Sequence, residues 1–411
     1  MAADKCVQVT KLTACLVVPV NFEEAAAIDW PKGPLPLKLR QGERDVNVTE
    51  KLRLTYFRSR VLPAIYQRRW HAFLDVALFS ATLFAVELTA LPSDMQMQSG
   101  VAIYHISLAE SDINTAAKLS RLEGSPAARA VRDLLQAQLP TGVSIEDGVR
   151  RAWTVAHVTF AEVPPGPLDA EVSWAAPNQW LWVAASMTTL DDYPPASSDD
   201  SLLSSRISLS KDWEVLVLRD GVGFVGTTID DGDANGFHAV AATLVHTVYL
   251  DIFLLTRLQL LVMNAIADQL ALAGLASHDR KVLNRLEMRL VTFRKVLWWE
   301  SVSIYGRANR LLEATQGQLG LPRLMDQIIA DLRDIASFVE ARAARRTNAL
   351  LALLTVVGLP FGLSYASAIT VATPSPLLFI VSSLVALGMV LLLLTIIPAA
   401  RGLLRDLVRG E

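Results

Sequence analysis

Three kinds of residue in this chain could do chemistry, and each offers a different sort. Asp191-Asp192, Asp199-Asp200 and Asp230-Asp231 followed by Asp233 are acidic clusters, and carboxylate oxygens are the donors that hard divalent cations prefer. They are weak metal candidates, for magnesium or another divalent ion in a transported or regulatory role, with solvated loop charge as the competing reading. The six histidines, His71, His105, His157, His238, His246 and His278, form no HExxH motif and no short group at metal-ligand spacing. Core or surface imidazoles account for them. Cys6 and Cys15 belong to no CxxC pair, which suits a reducing compartment, and both read as inert thiols.

The third kind is a stripe. Asn348, Leu351, Thr355, Gly358, Gly362, Tyr365 and Ile369 recur at alternating spacings of three and four, gathering most polar and glycine residues of an otherwise apolar helix on one side. Such a stripe on a membrane helix faces either a water-filled pathway or a partner helix. Gly358-x-x-x-Gly362, with Pro360 inside it, equally fits close packing and a bend. Both readings stand.

Catalysis finds no constellation: there is no GxSxG elbow and no Walker loop, so neither an enzyme nor a bound cofactor is expected. Gly221-Val-Gly223-Phe-Val-Gly226 has dinucleotide-site spacing, but Thr227-Thr-Ile-Asp-Asp-Gly232 after it is a poor helix, and such a site needs a helix there. Asp220-Gly221 between two apolar runs reads instead as a hairpin turn.

The elements that must position these residues follow from hydropathy. Mean hydropathy is +0.34 with 52% hydrophobic residues, and the excess is local: no Asp, Glu, Lys or Arg occurs between Arg346 and Arg401. A span needs about 20 residues, so this run holds two, at residues 349–369 and 377–398. A short external connection rich in Pro and hydroxyl residues joins them at 370–376. Arg342, Arg345 and Arg346 precede the first span and Arg401, Arg405 and Arg409 follow the second, which puts both ends of the chain in the cytoplasm, with residues 401–411 as a basic tail. No export signal is evident at the N-terminus. A net charge of −3 leaves no basic surplus for nucleic acid.

Residues 1–235 read as a cytoplasmic α/β domain with a mixed sheet. Strands are expected at 13–20, 101–108, 154–163, 180–186, 213–218 and 223–228, and helices at 70–91 and 126–138, the latter capped by Ser125 and opened by Pro126. Residues 194–205 read as an exposed loop. Residues 236–346 form a helical stalk region. Its first helix, 237–273, is apolar but interrupted by Asp251, Arg257 and Asp268, and reads as buried in protein rather than lipid. A second helix is expected at 279–315. A third starts at Pro322 and meets no Gly or Pro before Gly358, so it should run unbroken into the first span, about 72 Å at 1.5 Å per residue.

This order of parts resembles the CorA-like divalent cation (magnesium) transporter family: a cytoplasmic α/β domain, a long stalk helix continuous with the first of two C-terminal spans, a short external loop and a basic tail. The most local match is Arg346-Thr-Asn348 followed by Leu354-Thr355-Val-Val, similar to that family's stalk-to-membrane junction. The resemblance implies a homo-oligomer, a pentamer around an axial pore, with Asn348, Leu351, Leu354 or Thr355 lining its cytoplasmic part. Rings of Asn348, Thr355 and Thr370 would then contact the ion, and Leu351 would gate by dewetting. Where the family carries a Gly-Met-Asn signature, this chain has Ala366-Ser-Ala-Ile-Thr-Val-Ala-Thr-Pro374.

Overall fold

A computed structural model describes residues 9–23, 27–41, 44–46, 49–95, 97–108, 113–161, 168–169, 171–188, 190, 195, 200–233, 236–276, 280–370, 377, 380–381, 383–385 and 387–388. The chain opens with a long strand, β1 (Val9–Phe22), followed by a small hairpin of β2 (Leu39–Gln41) and β3 (Arg44–Val46). Two short helices, α1 (Thr49–Tyr56) and α2 (Leu62–Tyr66), lead into β4 (Arg69–Leu78), β5 (Ala81–Ala90) and β6 (Ser99–Leu108). Helices α3 (Ile113–Ser120) and α4 (Pro126–Gln136) precede β7 (Val143–Ile145) and β8 (Trp153–Phe160). Then come α5 (Ala176–Ser186), β9 (Arg206–Ser208), β10 (Trp213–Val217) and β11 (Gly221–Gly226). The rest of the described chain is helical: α6 (Phe237–Leu244), a π turn (Val245–Tyr249), α7 (Leu250–Ala276), α8 (Arg280–Val296), α9 (Gly306–Gln318) and α10 (Leu321–Thr370).

The sheet has nine strands in the order β4-β5-β6-β1-β8-β11-β10-β9, with β7 also paired to β1. Only β8 and β11 run parallel among these neighbours, so the sheet is mixed. Strand β1 lies near its middle and is buried at nearly every position from Leu12 to Val20, as a strand covered on both faces must be. Its even-numbered residues Leu12, Ala14, Leu16, Val18 and Val20 join a core with Leu119, Val131, Leu135, Trp180, Leu181 and Ala184 from α3, α4 and α5. The opposite face meets α6, the π turn and α7, where Phe253 packs against Trp153 and Phe224, and Tyr249 against Trp213.

Three expected elements are corrected. Residues 70–91 form the β4–β5 hairpin rather than a helix. The chain turns at Phe79-Ser80, where Phe79 takes a left-handed φ of 57°, and the segment's aromatic and β-branched content suits a strand pair. Residues 180–186 belong to helix α5 rather than a strand: Pro177 opens it, Met187 at φ 49° ends it in the left-handed region, and its apolar residues bury nearly all round. The helix expected at 279–315 is two helices. Between them, Asn309 Oδ1 accepts the backbone N–H groups of Val302 and Ser303, and Ser303 Oγ donates to the Tyr56 carbonyl. Side-chain hydrogen bonds of this kind compete with helix continuation.

Glycines 221 and 223 belong to the β10–β11 hairpin, as its turn signal indicates. A Cβ on Gly223 would come within 2.7 Å of the Ala185 nitrogen and 2.8 Å of the Ala184 methyl. These glycines therefore let α5 approach the sheet closely rather than cradle a phosphate.

The chain divides into two compact units, residues 1–272 with 284–329, and residues 273–283 with 330–411. Helix α10 is unbroken over 50 residues, about 75 Å. Among the described residues, one helical stretch, Phe237–Leu272, is long and apolar enough to cross a membrane by length and composition, and 78% of its most apolar window is buried in the fold. Most of the second expected span, the connection at 371–376 and the tail lie outside the described residues.

Candidate functional site

Cys15 in β1 stands directly opposite His105 in β6 in the antiparallel register. Cross-strand partners leave the same face of a sheet, and here that is the face under the π turn, which brings in His246. Cys15 Sγ lies 3.1 Å from His246 Nδ1 and 3.5 Å from His105 Nδ1, and the two Nδ1 atoms are 2.9 Å apart. All three residues are buried. Two local irregularities make this convergence. The π turn re-aims one side chain within an otherwise regular helix, a device concentrated at functional positions. A bulge between Leu83 and Ala85 frees Phe84 to pack its ring 5.8 Å from His105 and 5.5 Å from His246.

Behind His105 lies a buried ionic chain. Glu87 Oε1 is 3.0 Å from His105 Nε2. A carboxylate in this state only accepts, so Nε2 carries a proton, and Nδ1 is the ring nitrogen that faces Cys15 and His246. Arg69 donates to both Glu87 oxygens, Nε at 2.7 Å and Nη2 at 2.8 Å, and the Leu35 N–H adds a third bond at 2.8 Å. Arg69 Nη1 also reaches Asp251 at 2.5 Å, where Arg53 Nε donates at 2.7 Å. These two guanidinium and two carboxylate groups are all buried, and their charges cancel. Burial alone would raise the Glu87 pKa, but Arg69 and His105 hold it well below the usual carboxylate range. Burial pushes the Cys15 thiol up, with Glu87 adding to the shift. Burial and the neighbouring His105 keep His246 well below the usual imidazole range.

His157 in β8, opposite Thr13 of β1, is buried, and neither of its ring nitrogens has a hydrogen-bond partner among the described residues. Burial, with smaller contributions from His238 and Lys11, brings its pKa down to about 3.

The expectation of scattered, unrelated histidines is thus overturned for His105 and His246, which meet at Cys15; the Cys15 thiol itself is buried and held protonated. Their sequence separations of 90 and 141 residues leave no motif. The available signal is Cys15 and His105 within apolar strands and His246 within an apolar helical run. Cys6 and His278 lie outside the described residues.

Comparison with protein-family models, curated proteins and solved structures finds no match for this chain.

The acidic clusters and the stripe stand elsewhere. Asp230 is tied into a turn, accepting from Thr159 Oγ1 at 2.6 Å and from the Gly232 N–H at 3.0 Å, while Asp231 accepts from the Asp233 N–H. Asp191, Asp192, Asp199 and the Asp200 side chain lie outside the described residues. Asn348, Leu351, Thr355, Gly358, Gly362, Tyr365 and Thr370 all lie on α10. Leu351 is 58% and Tyr365 61% exposed, and Leu354, off the stripe, is 71% exposed. Asn348, Thr355, Gly358 and Gly362 are exposed as well; the Thr370 side chain is outside the described residues.

Proposed function

We propose that this chain is a homo-oligomeric, CorA-like ion channel or transporter of the cytoplasmic membrane that moves divalent cations. In this reading the sheet domain senses a cytoplasmic signal, α10 carries it to the bilayer, and both termini stay on the cytoplasmic side. Helix α10 carries the reading. It runs 50 residues without a break, and from Thr347 onward it bears no charge. The large apolar side chains described there and just beyond, Leu351, Leu354, Leu377, Ile380, Leu384 and Val385, are more than half exposed. A surface of that kind requires lipid or neighbouring copies to cover it. The Asn348 and Thr355 positions supply amide and hydroxyl groups to an axial pathway, and Leu351 supplies a dewetting constriction.

The test is divalent-ion flux into vesicles reconstituted with the purified full chain. Asn348→Leu should lower flux at least about tenfold and Leu351→Ser should raise the resting leak; flux indifferent to both variants would refute the pore assignment. The absence of the Gly-Met-Asn signature and of acidic residues in the connection favours a second reading, a non-conducting membrane-anchored sensor on the same scaffold. That reading predicts a stable oligomer in detergent with no flux at all.

A further inference from the structure

We infer that Cys15, His105 and His246 form a buried three-ligand site for a thiophilic divalent cation of the zinc class. Tetrahedral coordination at about 2.3 Å to sulfur and about 2.0 Å to nitrogen places S···N pairs roughly 3.5 Å apart and N···N pairs roughly 3.3 Å apart. The observed separations of 3.5, 3.1 and 2.9 Å form a triangle close to that size. Each of the three atoms faces both of the others, and one cation bonds to all three corners at once.

The surroundings match metal ligation in a second, independent way. Glu87 holds the far nitrogen of His105 at 3.0 Å, the carboxylate–imidazole arrangement that fixes a metal-binding tautomer and strengthens the ligand. Glu87 is itself locked by two bonds from Arg69. One sulfur and two imidazole nitrogens select zinc, or cobalt as its spectroscopic substitute, over magnesium and calcium, which take oxygen donors. Bound there, the ion would join β1, β6 and the π turn, pinning the helix layer to the sheet. Because the site is enclosed, loading would accompany folding, and metal binding would add to the stability of the fold.

The experiment expresses the full chain in zinc-supplemented medium, purifies it in detergent, and measures metal content per chain by mass spectrometry. Near one zinc per chain is expected for the natural sequence. Less than about a tenth of that is expected for Cys15→Ser and His246→Gln, each recovered with unchanged far-ultraviolet circular dichroism. Equal zinc in the natural chain and both variants, or a folded natural chain free of metal, would overturn the site. A readout independent of the variants is the natural chain produced in cobalt medium. A thiolate-to-cobalt charge-transfer band supports the assignment, and bound cobalt without that band refutes it.

Discussion

Glu87 meets His105 through the same oxygen, Oε1, that accepts Arg69 Nη2, so a single carboxylate atom joins a charged network to an imidazole. The network continues through Asp251 to Arg53, spanning the β4–β5 hairpin, helix α1 and the start of α7. Buried ion pairs of this kind add little net stability over an apolar core, but removing one partner strands the others without water or counter-charge. Their value here is positional, since they fix which ring nitrogen of His105 faces the helix.

Glu87→Gln keeps the shape and removes the charge. Arg69 would then lose one of its two counter-ions, and a loss of about 3–5 kcal/mol is expected, read from urea unfolding of the detergent-solubilised chain by tryptophan fluorescence. The double variant Glu87→Leu with Arg69→Met should recover part of that loss, because Asp251 still pairs with Arg53. A Glu87→Gln chain as stable as the natural one would show that the charge is not needed.

His157 predicts an acid-sensitive fold. Its pKa is about 3 when buried against 6.5 ordinarily, with His238 and Lys11 disfavouring the proton and Asp230 alone favouring it. Between those values the unfolded chain binds a proton that the folded chain does not. The stability contributed by neutral His157 is therefore complete above pH 6.5 and falls as the pH drops towards 3, at up to about 1.4 kcal/mol per pH unit. Replacing His157 with Phe keeps an aromatic ring beside Trp213 and removes the proton. The urea midpoint should then fall less between about pH 7 and about pH 5 than in the natural chain; identical slopes would contradict the assignment.

What the sequence made legible, and what it hid, divides by range. Strand β1, strand β6 and helix α4 were readable because each carries its own signal: a β-branched apolar run, or Ser125 and Pro126 opening a helix, and the Ser125 hydroxyl does accept from the Ala128 N–H at 3.1 Å. Residues 70–91 read as a helix because the feature that marks them as a strand pair, Glu87 on β5 bonded to Arg69, depends on a partner outside the window. Trp180–Ser186 misled because burial on every side gives a helix and a core strand the same composition. The Cys15, His105 and His246 meeting depends on sheet register and on a π turn, neither of which has a local code.

Close approach of α5 to the sheet makes Gly223 a sensitive position. Gly223→Ala would put a methyl 2.7 Å from the Ala185 nitrogen, forcing the helix outward at a cost of about 1–3 kcal/mol. Gly317, in α9, has nothing within 4 Å of where an alanine methyl would sit and should behave oppositely. Gly317→Ala is expected to stabilise by up to about 1 kcal/mol through its helix propensity. Thermal midpoints moving in the same direction for both variants would disprove the packing argument.

Gly358 and Gly362 separate the two readings of the α10 stripe. Beyond its own helix backbone and chain neighbours, neither has a described atom within 4 Å of the place a Cβ would occupy, so a larger side chain meets no obstacle among the described residues. If these glycines serve close approach between α10 helices of neighbouring copies, Gly358→Ile and Gly362→Ile should lower the mass of the detergent-solubilised oligomer while leaving the urea unfolding of the sheet domain unchanged, because the clash would arise only between chains. If the stripe instead lines a pathway, the oligomer should persist and ion flux should fall, since a girdle of isoleucines narrows and dries the pore. Native light scattering on the purified variants, paired with vesicle flux, distinguishes these outcomes, and unchanged mass together with unchanged flux would rule out both readings.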